Sequence, residues 1–135
     1  MCAGVIAFAP LGAAAGELAI TVNGLDSTSG AVHYAVYDRP EAFPKRDQRF
    51  AKGQAPARGD PVVIVVPNLP PGTYAVAVFH DENGNGEFDQ GLFGIPLERY
   101  GFSNDARGFF AAPDFEAARF ELGQGTRRIT ITLGR

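Results

Sequence analysis

Most apolar stretches of this 135-residue chain place a hydrophobic residue at every second position, the period of a strand with one face buried. Glu17 to Leu25 turns Leu18, Ile20 and Val22 one way, and Ala31 to Asp38 does the same with Val32, Tyr34 and Val36. The turn residues Asp26-Ser27-Thr28-Ser29-Gly30 between them predict that these two strands form a hairpin. Pro61-Val62-Val63-Ile64-Val65-Val66-Pro67 is a β-branched run between prolines, which predicts a strand buried on both faces. After the turn Leu69-Pro70-Pro71-Gly72, Tyr74, Val76, Val78 and His80 share one face, and Ala75, Ala77 and Phe79 the other. Two strands close the chain, Ala118 to Leu122 and Arg127 to Leu133, the second with Ile129, Ile131 and Leu133 inward.

The alternation dissolves between Arg39 and Gly59, where Pro40 to Pro44 predicts one helical turn pinned by Phe43 and Lys45 to Gln54 a short helix or solvated loop. Gly91 to Asn104 is aromatic and punctuated by glycine, and Asp105 to Phe115 continues as loop. No segment is long enough for a helical crossover between parallel strands. The pattern therefore predicts an all-β fold, an antiparallel two-sheet sandwich of six to seven short strands, in a single domain over residues 16–135.

Composition adds three constraints. The 17 glycines and 10 prolines suit a turn-rich β protein. A formal charge of -3 gives no basic patch, which argues against nucleic acid as a partner. Residues 1–15 carry no charge, are apolar from Cys2 to Ala9, and end in Ala13-Ala14-Ala15 before Gly16. They are expected to be a signal peptide of a secreted, periplasmic or extracellular protein, since the run is broken by Pro10 and too short to span a bilayer. Cleavage there would remove Cys2, the single cysteine, leaving a mature chain without disulfides that relies on packing.

The candidate chemistry lies just after the fourth predicted strand. Asp81, Asn83 and Asn85 offer side-chain oxygens at alternate positions, Gly86 sits where a loop must turn, Glu87 can offer its carbonyl and Asp89 a second carboxylate. Calcium takes six to eight oxygens, and alternate side chains of a short loop converge on one point. Leu92 occupies the place of the bidentate glutamate of an EF-hand, and no helices flank the loop. Two carboxylates and two amides imply a weak site, with Kd on the order of 10⁻⁴ to 10⁻³ M, and Glu82 or Glu98 are candidates to complete the shell. The competing reading is a hydrogen-bonded hairpin loop, because Asn83-Gly84 and Asn85-Gly86 are favoured turn dipeptides.

Other residues carry weaker signals. His80 reads as a satisfied strand-end histidine, as such residues more often are, with an acid–base group or metal ligand beside the loop as the alternative, whereas His33 lies opposite the core face of its strand. Ser103 lacks the context of a nucleophile elbow, and Gly84-Asn85-Gly86 opens no helix to cradle phosphate. Phe93, Tyr100, Phe102, Phe109, Phe110 and Phe115 form either a ligand platform or, as rings in loops usually do, a satellite core.

Leu69-Pro70-Pro71-Gly72-Thr73-Tyr74-Ala75-Val76, Phe79 to Gly86, Gly94-Ile95-Pro96, Glu98 and Gly101-Phe102-Ser103-Asn104 together resemble a bacterial family of secreted domains of unknown function, DUF2141. The resemblance implies an exported, Ig-like or transthyretin-like sandwich and brings no established activity or catalytic residues. More loosely, Asp81, Asn83, Asn85 and Asp89 match the loop of calcium-binding B-type adhesin repeats, without the tandem copies of those proteins. Transthyretin-like hydroxyisourate hydrolases end in Tyr-Arg-Gly-Ser, unlike Thr132-Leu133-Gly134-Arg135 here. The expected function is thus a non-catalytic β-sandwich with a calcium-stabilised loop in a structural or binding role. The alternatives are a carbohydrate- or peptide-binding module using the loop aromatics, and a hydrolase built on His80 with Asp81 or Glu98.

Overall fold

A computed structural model describes residues 14–88, 97–108 and 111–134 of the chain. Residues 1–13 of the expected signal peptide, Asp89, Phe93, Phe109 and Phe110 lie outside the described residues. Eight strands are formed among the described residues: β1 (Gly16–Asn23), β2 (Ala31–Tyr37), β3 (Ala51–Pro56), β4 (Val62–Leu69), β5 (Gly72–Asp81), β6 (Tyr100–Phe102), β7 (Phe120–Leu122) and β8 (Gly125–Thr132). They make an all-β sandwich of two sheets. The smaller sheet has the order β4-β1-β8, and the larger the order β3-β2-β5-β6 with β7 also on β5.

Neighbouring strands are antiparallel except β1 and β8, which run parallel from Gly16 opposite Gly125 to Asn23 opposite Thr132. A parallel pair needs a crossover. Here nearly the whole chain between the two strands supplies it, passing through the larger sheet on the way. The expected hairpin of β1 with β2 is not formed, because β1 pairs with β4 and β8 while β2 pairs with β3 and β5. The turn at 24–30 instead carries the chain from one sheet to the other. Lys45 to Gln54 also differs from expectation, folding as a 3₁₀ turn (Arg46–Gln48) followed by the edge strand β3.

The main core lies between the sheets. Leu18, Ile20 and Val22 of β1, Ile64 and Val66 of β4 and Ile131 of β8 face Val32 and Val36 of β2, Tyr74, Val76 and Val78 of β5, and Phe120 and Leu122 of β7. Each such side chain contributes about 1.5–3 kcal/mol when fully buried. The inward faces are those the alternation marks.

A second core covers the outer face of the larger sheet. Ala35, Tyr37, Ala75 and Phe102 lie beneath Phe43, Ala106, Phe115 and Ala118. Phe43, after the 3₁₀ turn Pro40–Ala42, meets Tyr37, Phe102 and Phe115 edge-on at centroid distances of 5.2, 5.8 and 6.0 Å, the geometry aromatic quadrupoles favour. Phe102 and Phe115 are therefore packing residues. The turn after β6 is locked by Ser103, whose buried hydroxyl accepts the Val76 N–H at 2.9 Å and donates to the Ala118 carbonyl. Asn104 adds bonds from its amide to the carbonyls of Ala117 and Arg119.

β4 corrects a further expectation. It alternates between buried and exposed positions, with Val63 and Val65 pointing outward, and lies at a sheet edge. Its valines reflect strand propensity, which β-branched side chains satisfy on either face.

Candidate metal loop

β5 carries the candidate loop at its end. Pairing with β2 sets Ala31 opposite Asp81 and His33 opposite Phe79. His33 and Asp81 are thus diagonal neighbours on the outer face of the sheet, within reach of long side chains.

Asp81 is almost wholly buried, at 1% exposure, and organises the loop. Its Oδ1 accepts the N–H of Asn85 at 3.2 Å, and its Oδ2 that of Gly86 at 2.7 Å. His33 Nε2 lies 3.0 Å from Oδ2. An ionised carboxylate can only accept, so the imidazole donates through Nε2–H. Asn83 Oδ1 also accepts the Asn85 N–H at 3.2 Å, and Asn85 Oδ1 accepts the Glu87 N–H at 2.9 Å. These are successive Asx turns, in which each short side chain stands in for a backbone carbonyl two residues on. Arg46 closes the outer side by donating to the Gly86 carbonyl.

The preceding turn is docked against this loop. Ser27 donates to Glu82 Oε2 at 2.6 Å, and Glu82 N–H donates to Glu98 Oε2 at 3.2 Å. Arg99 pairs with Asp26. Gly30 has φ +72, and a Cβ there would lie 2.0 Å from the Asp81 carbonyl oxygen, so only glycine allows this approach.

Four of the five candidate ligands, Asp81, Asn83, Asn85 and Glu87, are thus held in one hydrogen-bonded turn, while the fifth, Asp89, lies outside the described residues. Glu82 and Glu98 face the partners already named. Among the described residues no three His, Cys, Asp or Glu side chains gather as a metal cluster. The oxygens that the turn gathers are the Asp81 carboxylate and the Asn83 and Asn85 amide oxygens. A carboxylate offers about four lone-pair sites, and the bonds to His33, Asn85 and Gly86 engage three at Asp81.

His80 is a satisfied residue at the end of its strand. Its ring is 1% exposed, on the core side of β5, and its Nε2–H is given to the Ser29 carbonyl at 2.7 Å. Held there, buried, it joins the 24–30 turn to the sheet, which argues against the hydrolase built on it. His33 is the residue that strand periodicity does not reveal. Its ring stacks on Phe79 at 4.9 Å, and Phe79, Phe88 and Tyr100 continue edge-on at 5.5 Å steps. Arg107 lies 5.6 Å over Tyr100. No helix among the described residues is long and apolar enough to cross a membrane.

A family model described as an uncharacterized protein conserved in bacteria (DUF2141) matches residues 20–130. No curated protein matches the chain. Among solved structures, a pilus-presented adhesin, Spy0125 (Cpa), is similar at 12% identity and a TM-score of 0.38 over 89% of this chain. The chain spans 27% of that adhesin.

Proposed function

The chain belongs to the bacterial DUF2141 family, and from that premise we propose that it is an exported, non-catalytic β-sandwich module whose loop from Asp81 is ordered by calcium. The observation that supports this reading is the convergence of Asp81, Asn83 and Asn85 oxygens on one turn through nested N–H bonds. The loop is thereby preshaped, so an ion would meet oxygens whose ordering entropy is already offset by the fold. Glu87 would add its carbonyl and Asp89 its carboxylate. Export rests on the apolar, charge-free Met1 to Ala15 stretch. Secreted protein beginning at Gly16 would support it, and an intact N-terminus retained in the cytoplasm would sink it.

The test for the ion is thermal unfolding in chelator, in calcium and in magnesium. With Kd on the order of 10⁻⁴ to 10⁻³ M, about 10 mM calcium stabilises the folded state by roughly 1.4–2.7 kcal/mol, or several degrees in Tm. Asp89→Ala and Asn83→Ala should abolish that increment, whatever they do to the starting Tm. An equal Tm in chelator and calcium would leave the loop as a hydrogen-bonded turn.

A second reading, a carbohydrate- or peptide-binding module, is favoured by one observation: the half-buried rings of Phe79, Phe88 and Tyr100 lie beside the loop. Such rings stack on sugar faces and on peptide side chains. Glycan- and peptide-array binding lost on Tyr100→Ala, with the fold intact, would favour this reading over a purely structural role.

A further inference from the structure

We infer that β4 is a self-association edge, which a second copy of this chain meets antiparallel about a two-fold axis at Ile64. Among the described residues β4 is the outer strand of the smaller sheet, and one of its sides has no strand partner there. An edge of that kind is a template for another strand unless charge, proline or a covering loop blunts it. The two sheet edges differ in this respect. β3, at the edge of the larger sheet, exposes Lys52, Gln54 and Pro56, which is the protected pattern. β4 has no charge between Pro61 and Pro67, and its outward valines, Val63 and Val65, are 59% and 52% exposed.

The sequence of that stretch selects the occupant. Pro61-Val62-Val63-Ile64-Val65-Val66-Pro67 reads identically in both directions. Antiparallel pairing about Ile64 sets Val62 against Val66, Val63 against Val65, and Pro61 against Pro67 of the other copy, with Ile64 against itself. A two-fold interface requires this self-complementarity, because each residue pair occurs twice. Every β-branched residue then faces another, the pairing that cross-strand contacts reward. Asp60, just before the ladder, does not face the other copy's ladder and is held by the Gly24 N–H at 3.0 Å.

On the outer face the four valines, Val63 and Val65 from each copy, merge into one apolar strip. It is continued by Ala19 beside Val65 and Thr21 beside Val63. The prolines confine the ladder to the five residues between them. The far edge of the sheet, β8, is held near its end by the Asp105 carboxylate on Thr132 N–H, and the following Gly134 bridges to Tyr100. The two-fold contact uses the same edge on both copies, so it closes as a dimer.

Sedimentation equilibrium of the protein from about 1 µM to about 1 mM tests the inference. The expected mass is twice the 14.3 kDa of one chain at the upper concentrations. Val63→Lys and Val65→Lys each place a charge in the strip and should return the protein to one-chain mass, with circular dichroism and Tm confirming that the fold is kept. Mixing Val63→Lys chains with Val65→Glu chains should restore the doubled mass, because those two positions face each other in this register. One-chain mass throughout for the unsubstituted protein, association that survives both lysine variants, or failure of the mixed pair to reassociate would each overturn the inference.

Discussion

The imidazole of His33 and the carboxylate of Asp81 meet at 3.0 Å, one in the middle of β2 and the other at the last residue of β5. The contact joins sheet register to loop shape. His33 fixes the carboxylate from the strand side, and the carboxylate fixes the N–H groups of Asn85 and Gly86 from the loop side. Any change in the β2–β5 register would therefore dismantle the turn that presents Asn83 and Asn85.

Asp81→Ala is expected to cost about 2–4 kcal/mol, because it leaves the Gly86 N–H and the His33 imidazole without this acceptor and the Asn85 N–H with Asn83 alone. His33→Ala removes one charge-assisted bond and a stacked ring, for about 1–2 kcal/mol. Asn83→Ala, at an exposed site, should cost less than either. Urea unfolding monitored by tyrosine fluorescence ranks the three. A ranking with Asn83 first would show that the carboxylate is not the centre of the loop.

Gly30 and Gly84 separate backbone strain from steric conflict. Both hold positive φ, at +72 and +71, but a Cβ at Gly84 meets nothing within 4 Å, whereas one at Gly30 meets the Asp81 carbonyl oxygen at 2.0 Å. Gly84→Ala should cost only the left-handed conformation, about 1–2 kcal/mol. Gly30→Ala adds a backbone clash that no rotamer relieves, for about 2–4 kcal/mol in total. Equal losses in urea unfolding would mean that the 24–30 turn can move away from the loop.

The parts of the fold visible in the sequence are those decided locally. Leu18-Ile20-Val22, Tyr74-Val76-Val78 and the turn chemistry of Asp81 to Gly86 act over a few residues, and the structure uses each of them. Pairing is not local. The turn at 24–30 has hairpin chemistry yet spans two sheets, and β3, Ala-Lys-Gly-Gln-Ala-Pro, is a strand only because β2 offers it a partner. β4 has the composition of a strand buried on both faces because β-branched residues suit either face. His33 became part of the site through the register of β2 on β5, which no window along the chain contains. Ser103 is similar, since its partners Val76 and Ala118 lie 27 and 15 residues away.

The remaining prediction concerns alkaline stability and rests on Tyr37 and Tyr74. Burial raises the pKa of the Tyr37 phenol above 10, against the opposing pull of Arg49 and Arg46, and burial with the nearby Asp38 raises that of Tyr74. Folding thus favours the neutral phenols. Such groups contribute stability that is fully present below the unfolded value of about 10 and is lost as pH rises through the higher folded values. Urea-unfolding free energy should show no pH dependence from these phenols between about pH 7 and 9, where their contribution is fully present, and should fall above about pH 10. Tyr37→Phe leaves the ring contact with Phe43 in place, 5.2 Å between centroids, while removing the ionisation. Its stability should decline less steeply than that of the parent in the alkaline limb, and an identical decline would assign the alkaline loss to other groups.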